Sequence, residues 1–301
     1  MADAVNIAAA KLTQPTGRRP QAFSRFSSWW ALYTLALRQH LHGKRWLVMA
    51  LLFLVPVGLA VLIRATAPRV SPEALEFNLV MIFMPQALLP VIALLYSSGV
   101  IQDEQEDQTI TYLLLRPVPK WGIYVIKLLA AMTTTAVLVV LFTGVTYSAI
   151  YFGTDKPVGE VATRWLQAGA IHSLAIVAYC SLFGLLGLVT RRVLVVGILY
   201  IAVVEGMLAN FPFSIRLLTV IYYARLIAYH FMTFRVPRHF GTEDVAATVW
   251  QLGNTSDPRL IDHPTTATAI ATLVVASVVF TALGAWLCSQ REFHVKTPEK
   301  D

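Results

Sequence analysis

The sequence predicts an all-α polytopic membrane protein with six transmembrane helices, and three observations predict it. Of 301 residues, 56% are hydrophobic and only 14% charged, whereas ordinary soluble domains carry about a quarter charged residues. The apolar residues fall in blocks of about 18–25, the length a helix needs to cross a hydrocarbon core of about 30 Å. Short charged stretches separate the blocks, and the basic ones gather on one side. The two cysteines, Cys180 and Cys288, both lie inside apolar blocks, so no disulfide framework or CxxC metal site can be read. A net charge of +7 belongs in such a chain to orientation rather than to nucleic acid. The expected surroundings are lipid.

Residues 1–22 mix Ala, Pro and basic residues around Asp3 without an apolar core. They read as a disordered cytoplasmic tail, not a cleaved signal peptide. In 23–45, Phe23, Phe26, Trp30, Tyr33, Leu37 and Leu41 recur at spacings of three and four, Trp29 broadens that face, and Arg25 and Arg38 lie away from it. This pattern predicts an amphipathic helix in the headgroup plane leading into the membrane; the plainer alternative is a surface helix packed on protein. The membrane-spanning body then occupies 46–290, with spans at 46–63, 79–101, 121–151, 168–189, 193–211 and 266–288. The third is longer than a bilayer requires and should tilt or project. Pro56, Pro85 and Pro90 predict kinks, either hinges or fixed bends. Gly184, Gly187 and Gly197 predict close approach of neighbouring helices. Residues 291–301 form a second tail.

Orientation follows from the basic residues. With the N-terminus inside, 15 of the 24 Lys and Arg are cytoplasmic, and five of the other nine are spread over 212–265, a stretch too long for the rule to weigh. Both termini are expected in the cytoplasm of a multi-pass protein of the inner or plasma membrane. Within 212–265, Arg216, Arg225 and His230 interrupt an otherwise apolar run, and an Arg at mid-span costs about 2.5–3.5 kcal/mol on insertion scales. A seventh span would also move the basic C-terminus outside. The expectation is a re-entrant or surface helical region, followed by a short helix that Thr242 caps, running through Glu243 and Asp244 and closed by Gly253.

The most informative stretch lies between the second and third spans. Asp103, Glu104, Glu106 and Asp107 precede Thr109 and the apolar run Tyr112, Leu113, Leu114 and Leu115; Arg116, Pro117, Lys120 and Lys127 follow. Acids at the start and bases at the end complement a helix dipole, and Pro117 ends or kinks the helix. The spacing predicts a short cytoplasmic helix over about 102–118. A merely solvated loop explains the charges but not four adjacent apolar side chains, and an apolar patch with a polar rim marks a contact surface.

On these residues the chain resembles ABC transporter permeases of the type-2 (ABC-2) class. Glu104, Thr109, Leu113-Leu114, Pro117, Lys120 and Lys127 are similar to that family's Glu–(spacer)–Gly-Thr–Leu-Leu–Pro–basic–Lys pattern, with Gln108 where the family has Gly and Lys120 where Arg is common. The resemblance covers nearly the whole chain. It implies a coupling helix made of Asp103, Glu104, Glu106, Asp107, Thr109, Tyr112, Leu113, Leu114, Arg116, Pro117 and Lys120. Each coupling helix would dock in a groove of a separate cytoplasmic ABC ATPase subunit, which binds the ATP and Mg. It also implies a second permease copy as homodimer, or a related permease as heterodimer, and a function as exporter. The alternative is a membrane anchor or mechanotransmitting subunit that recruits a cytoplasmic ATPase for an extracytoplasmic maturation or motility system.

No GxxxxGK[ST] phosphate loop occurs in the sequence; Gly17-Arg-Arg-Pro lacks the second glycine and the Lys-Ser/Thr. No HExxH or GxSxG occurs either, and His172, His230, His239 and His263 are scattered. The chain is therefore expected to be neither an enzyme nor a metal protein, with no cofactor of its own. Inside the spans, Glu205 and, more weakly, His172 are candidates for the substrate path, because ionisable groups are expensive in lipid. Glu205 has three readings: a path residue, a partner for a base across a subunit interface, or a protonated side chain against a neighbouring helix. Thr133, Thr134 and Thr135 are expected to bond to their own helix or to glue helices together. The apolar walls suit hydrophobic or amphipathic cargo, a composition that lipid-facing residues produce equally.

Overall fold

The computed structural model describes residues 25–42, 45–100, 119–211, 214–238, 241–250, 252 and 263–290. Among these described residues, six helices are long and apolar enough to cross a membrane: Trp46–Thr66, Pro72–Ser97, Lys120–Tyr151, Val158–Val189, Val193–Asn210 and Thr266–Gln290. With the lead-in helix Arg25–His42 as α1, these are α2, α3, α4, α5, α6 and α9. Between α6 and α9 come a 3-10 turn (Ser214–Leu218), α7 (Val220–Phe231) and a short helix α8 (Val245–Val249). Strands β1 (Arg235–Arg238) and β2 (Gly241–Asp244) form an antiparallel hairpin there, pairing Arg235 with Asp244 and Arg238 with Gly241.

The hairpin corrects the expected capping by Thr242. Thr242 and Glu243 are strand residues, and the cap is Asp244, whose carboxylate accepts from the Ala246 amide at 3.1 Å. Both are good caps by residue type; pairing of β2 with β1 takes Thr242 and Glu243 into extended backbone and leaves Asp244, at the end of the strand, to start the helix. Gly253 lies outside the described residues.

α5 is the central helix, packed on α4, α9, α3, α7 and α6. Its inward face is built of small residues and rings: Ala168, Ala175, Ala178, Tyr179, Cys180 and Phe183 are all buried. α4 and α5 run 32 residues each, about 48 Å at the α-helical rise, so both exceed a bilayer's apolar thickness. α2, α6 and α9 are peripheral and keep Leu51, Val195, Ile198 and Val278 exposed, as lipid-facing helices do.

α1 packs on α4 through a face different from the expected one. Leu32 and Ala36 are buried, Leu32 lies against Ile123 and Ile126, and Trp29 meets Trp121 edge-on at 5.6 Å. Tyr33 bonds Thr133 Oγ1 at 2.9 Å. Trp30 and Leu41 of the expected stripe stay exposed, so the helix presents one apolar face to protein and another outward.

Two spans depart from α geometry. α3 is wound as a π-helix over Glu76–Leu88 before returning to α at Leu89–Ser97, and α6 passes from α to π over Ile201–Met207 and ends in a 3-10 turn at Leu208–Asn210. In α3 the prolines explain the change: Pro85 lies inside the wide stretch, and Pro90 stands in the first turn of the α segment that follows it. Proline tolerates that first turn, where its missing N–H has no intrahelical partner to lose.

Candidate functional site

Both wide stretches carry a buried carboxylate, and the two together make the polar interior of the bundle. Glu76, with 0% exposure, opens the first. Tyr147 and Tyr151 of α4 donate to it at 2.8 and 2.5 Å, and Arg164 Nε of α5 lies 3.0 Å from each carboxylate oxygen. Arg164 also donates through Nη2 to the Thr233 carbonyl at 3.1 Å and sits 5.7 Å from the centre of the Phe234 ring. Phe234 in turn packs with Phe77 and Trp250. One ion pair thus joins three spans to the chain leaving α7. A buried pair of this kind is held because every oxygen is satisfied; half of it alone is strongly destabilising.

Glu76 and Arg164 were outside the expected spans, and the omission has a physical cause. Hydropathy charges each ionised residue the full penalty of lipid, so read along the sequence the apolar blocks begin at 79 and 168. Paired with each other, the two charges let α3 begin at Pro72 and α5 at Val158. A local signal was present: Ser71-Pro72-Glu73 is an N-cap, a proline in the first turn and an acid. Ser71 Oγ does accept from the Ala74 amide at 3.3 Å. At the same end Lys156 bridges Glu73 and Glu160 at 3.3 Å each, and hydrogen bonding to Glu160 raises its pKa above 10.5. Arg64 closes α2 against α4 by donating to the Ile150 carbonyl.

Glu205, also at 0% exposure, lies in the second wide stretch. It accepts from Tyr200 Oη at 3.1 Å and from the backbone amides of Val220 and Ile221 at 3.0 and 3.1 Å. Those amides begin α7. Arg225 of α7 is buried as well, donating to Asn210 Oδ1 at 3.0 Å and Gln86 Oε1 at 3.2 Å, with Glu205 as the nearby opposite charge. The guanidinium that argued against a seventh span is thus enclosed by protein, as α7 packs on α5, α9 and α3. Arg216 is buried over the Tyr222 ring at 4.9 Å and bonds His263 Nδ1 at 3.4 Å. His172 is fully buried in α5, with Thr143 Oγ1 at 3.4 Å from its Nδ1. Glu205 and His172 belong to separate clusters, each tied to its own neighbours.

Asp103, Glu104, Glu106, Asp107, Thr109, Tyr112, Leu113, Leu114, Arg116 and Pro117 lie outside the described residues; Lys120, which opens α4, is described. The two ends of that connection are firmly seated. On the leaving side, a Cβ at Gly187 of α5 would fall 2.5 Å from the Ser98 carbonyl oxygen, and one at Gly197 of α6 would fall 2.3 Å from Leu94 Cδ1. On the returning side, the Lys120 carbonyl accepts from Cys288 Sγ at 3.5 Å, and Trp121 stacks edge-on with Trp29 of α1. Thr133, Thr134 and Thr135 bond back to Leu129, Ala130 and Ala131. Thr133 and Thr135 also reach across to Tyr33 and Cys180, so both expected uses are realised.

Among the described residues, six apolar helices enclosing the buried Glu76, Lys127 and Glu205, with a largely buried helix between the fifth and the last, are those of a multi-pass membrane protein. A family model described as ABC-2 family transporter protein matches residues 41–223. That is more than half of the chain, and it runs from the end of α1 into α7; the chain belongs to this family. It is a transmembrane component of an ABC transporter. Among curated proteins, none matches.

Proposed function

We propose that the chain is the membrane-spanning subunit of an exporter driven by a separate cytoplasmic ATPase subunit, two permease chains serving one transporter. The observation that carries this reading is the pattern Glu104, Thr109, Leu113-Leu114, Pro117, Lys120, Lys127, which runs from the connection after the second span into the start of the third and lies inside the family match. In this reading 102–118 is the coupling helix. Tyr112, Leu113 and Leu114 are its apolar anchor, as buried centres of interfaces usually are. Asp103, Glu104, Glu106 and Asp107 at one end, with Arg116 and Lys120 at the other, set its register in the ATPase groove. Thr109 begins the anchored turn and Pro117 stops it. ATP and Mg are bound by the partner, whose closure displaces the helix. The tight seats at Ser98 and Lys120 support the reading, because a lever transmits force only when both of its ends are held. Glu205 and His172 are the residues proposed nearest the substrate path on this chain.

Purification from the native membrane tests it. A Walker-motif ATPase should accompany the chain in equal stoichiometry. Leu113→Asp should leave the chain inserted but weaken ATPase binding by about 2 kcal/mol or more, roughly thirty-fold, the scale of an interface hot spot. Unchanged binding and ATP hydrolysis in that variant would remove 102–118 from the mechanism.

A further inference from the structure

α7 has a capping residue of its own and does not use it. The helix begins at Val220, and Thr219 before it has the extended backbone of a cap, with φ −101° and ψ 139°. Thr caps helices well. The Thr219 hydroxyl nevertheless donates to the Arg216 carbonyl at 2.7 Å and makes no capping bond. The amides of Val220 and Ile221 are taken by the two oxygens of Glu205, on another helix. A carboxylate there gains from the helix dipole as well as from the hydrogen bonds. A second tie runs the same way, since Arg225 of α7 holds Asn210 at the end of α6. A bond that α7 can make locally has been given to α6.

The opposite end of α6 meets α3. Gly197 receives Leu94, and Gly187 on the preceding helix receives the Ser98 backbone. α5 and α6 are separated by residues 190–192 alone, so both notches belong to one helical hairpin. They grip the last turn of α3, from which the connection to α4 departs. Glu205 lies eight residues beyond Gly197, about two helical turns further along α6. α6 therefore touches the end of the second span with one end and holds the start of α7 with the other.

We propose that Glu205 is a positioning residue that obliges α7 to move with α6, so that displacement at the end of α3 reaches the buried helix on the other side of the bundle. This rests on the coupling reading above. Its test uses the whole complex with its ATPase in nanodiscs, carrying Cys180→Ala and Cys288→Ala. Spin labels are placed at the exposed positions Phe231→Cys and Val158→Cys to follow α7, and at Ile198→Cys and Val158→Cys to follow α6. Distances are read without nucleotide and after trapping with ATP and vanadate. With Glu205 present, both distances change on trapping. In Glu205→Gln, an amide group faces a backbone N–H; the α6 change persists and the α7 change is lost. Adding Thr219→Asp gives α7 a cap of its own, so the melting temperature recovers while the α7 change stays lost. Recovery of the α7 change in that double variant would make Glu205 a local cap and overturn the proposal, as would an undiminished change in Glu205→Gln. An α7 that stays still in the parent while α6 moves overturns it and leaves the coupling reading intact. A complex with no ATPase, or with neither distance changed, defeats both.

Discussion

Glu76 receives hydrogen bonds from three side chains on two other helices, so single changes around it should differ in a characteristic way. Arg164→Met leaves a fully buried carboxylate without its guanidinium. Breaking half of such a pair costs about 3–5 kcal/mol, and we expect a correspondingly large fall in the unfolding midpoint in detergent. Tyr151→Phe removes one donor to the charged carboxylate and should cost about 1.5–3 kcal/mol. Glu76→Gln with Arg164→Met removes both charges and should recover most of the loss, because replacing a whole buried pair is nearly neutral. A double variant as unstable as the two singles summed would mean that the charges do not act as a pair. Lys156 behaves differently, being exposed between two carboxylates. Its pKa is raised in the folded protein, so its contribution is complete below the ordinary lysine value and lost only as pH climbs past the raised one. Unfolding midpoints measured from about pH 6 to 9 should not register Lys156→Ala as a pH-dependent change.

At the scale of elements, the glycines separate helix packing from helix propensity. Gly58 in α2 is exposed, and a Cβ there would meet nothing within 4 Å, so Gly58→Ala should stabilise by about 0.5–1 kcal/mol through propensity alone. Gly187→Ala has the same propensity gain but drives its Cβ to 2.5 Å from a backbone oxygen. Backbone cannot rotate away as a side chain does, and a net loss of about 1–3 kcal/mol is expected. Thermal unfolding of the two variants side by side checks the contrast in sign. The existence and order of the six spans were legible from hydropathy, and so were the close approaches at Gly184, Gly187 and Gly197. The starts of α3 and α5 were not, because a one-dimensional reading cannot know that Glu76 and Arg164 will meet across 88 residues. The face that α1 turns to α4 was misplaced for a related reason. Trp29, Trp30 and Tyr33 are equally apolar along the chain, and the packing of Leu32 against Ile123 decides which of them turns inward.

For the whole molecule, the expected orientation is open to a direct measurement. An impermeant maleimide should label Phe152→Cys, at an 83% exposed position between α4 and α5, in intact cells. It should label Glu104→Cys only after the membrane is opened. The reverse pattern would invert the assignment of sides and remove the connection between α3 and α4 from the reach of any cytoplasmic ATPase. By itself the sequence determined that this chain carries six segments long and apolar enough to cross a membrane, that a short apolar run flanked by acids and bases separates the second from the third, and that the arrangement resembles ABC-2 permeases. Those are properties of local composition and period, which any window of the chain displays. Only the tertiary structure decided that Glu76 is neutralised by Arg164, that Arg225 can be enclosed beside Gln86 and Asn210, and that Glu205 starts a helix other than its own. A buried charge is tolerated or forbidden according to its partner in space, and the partners here lie on other helices.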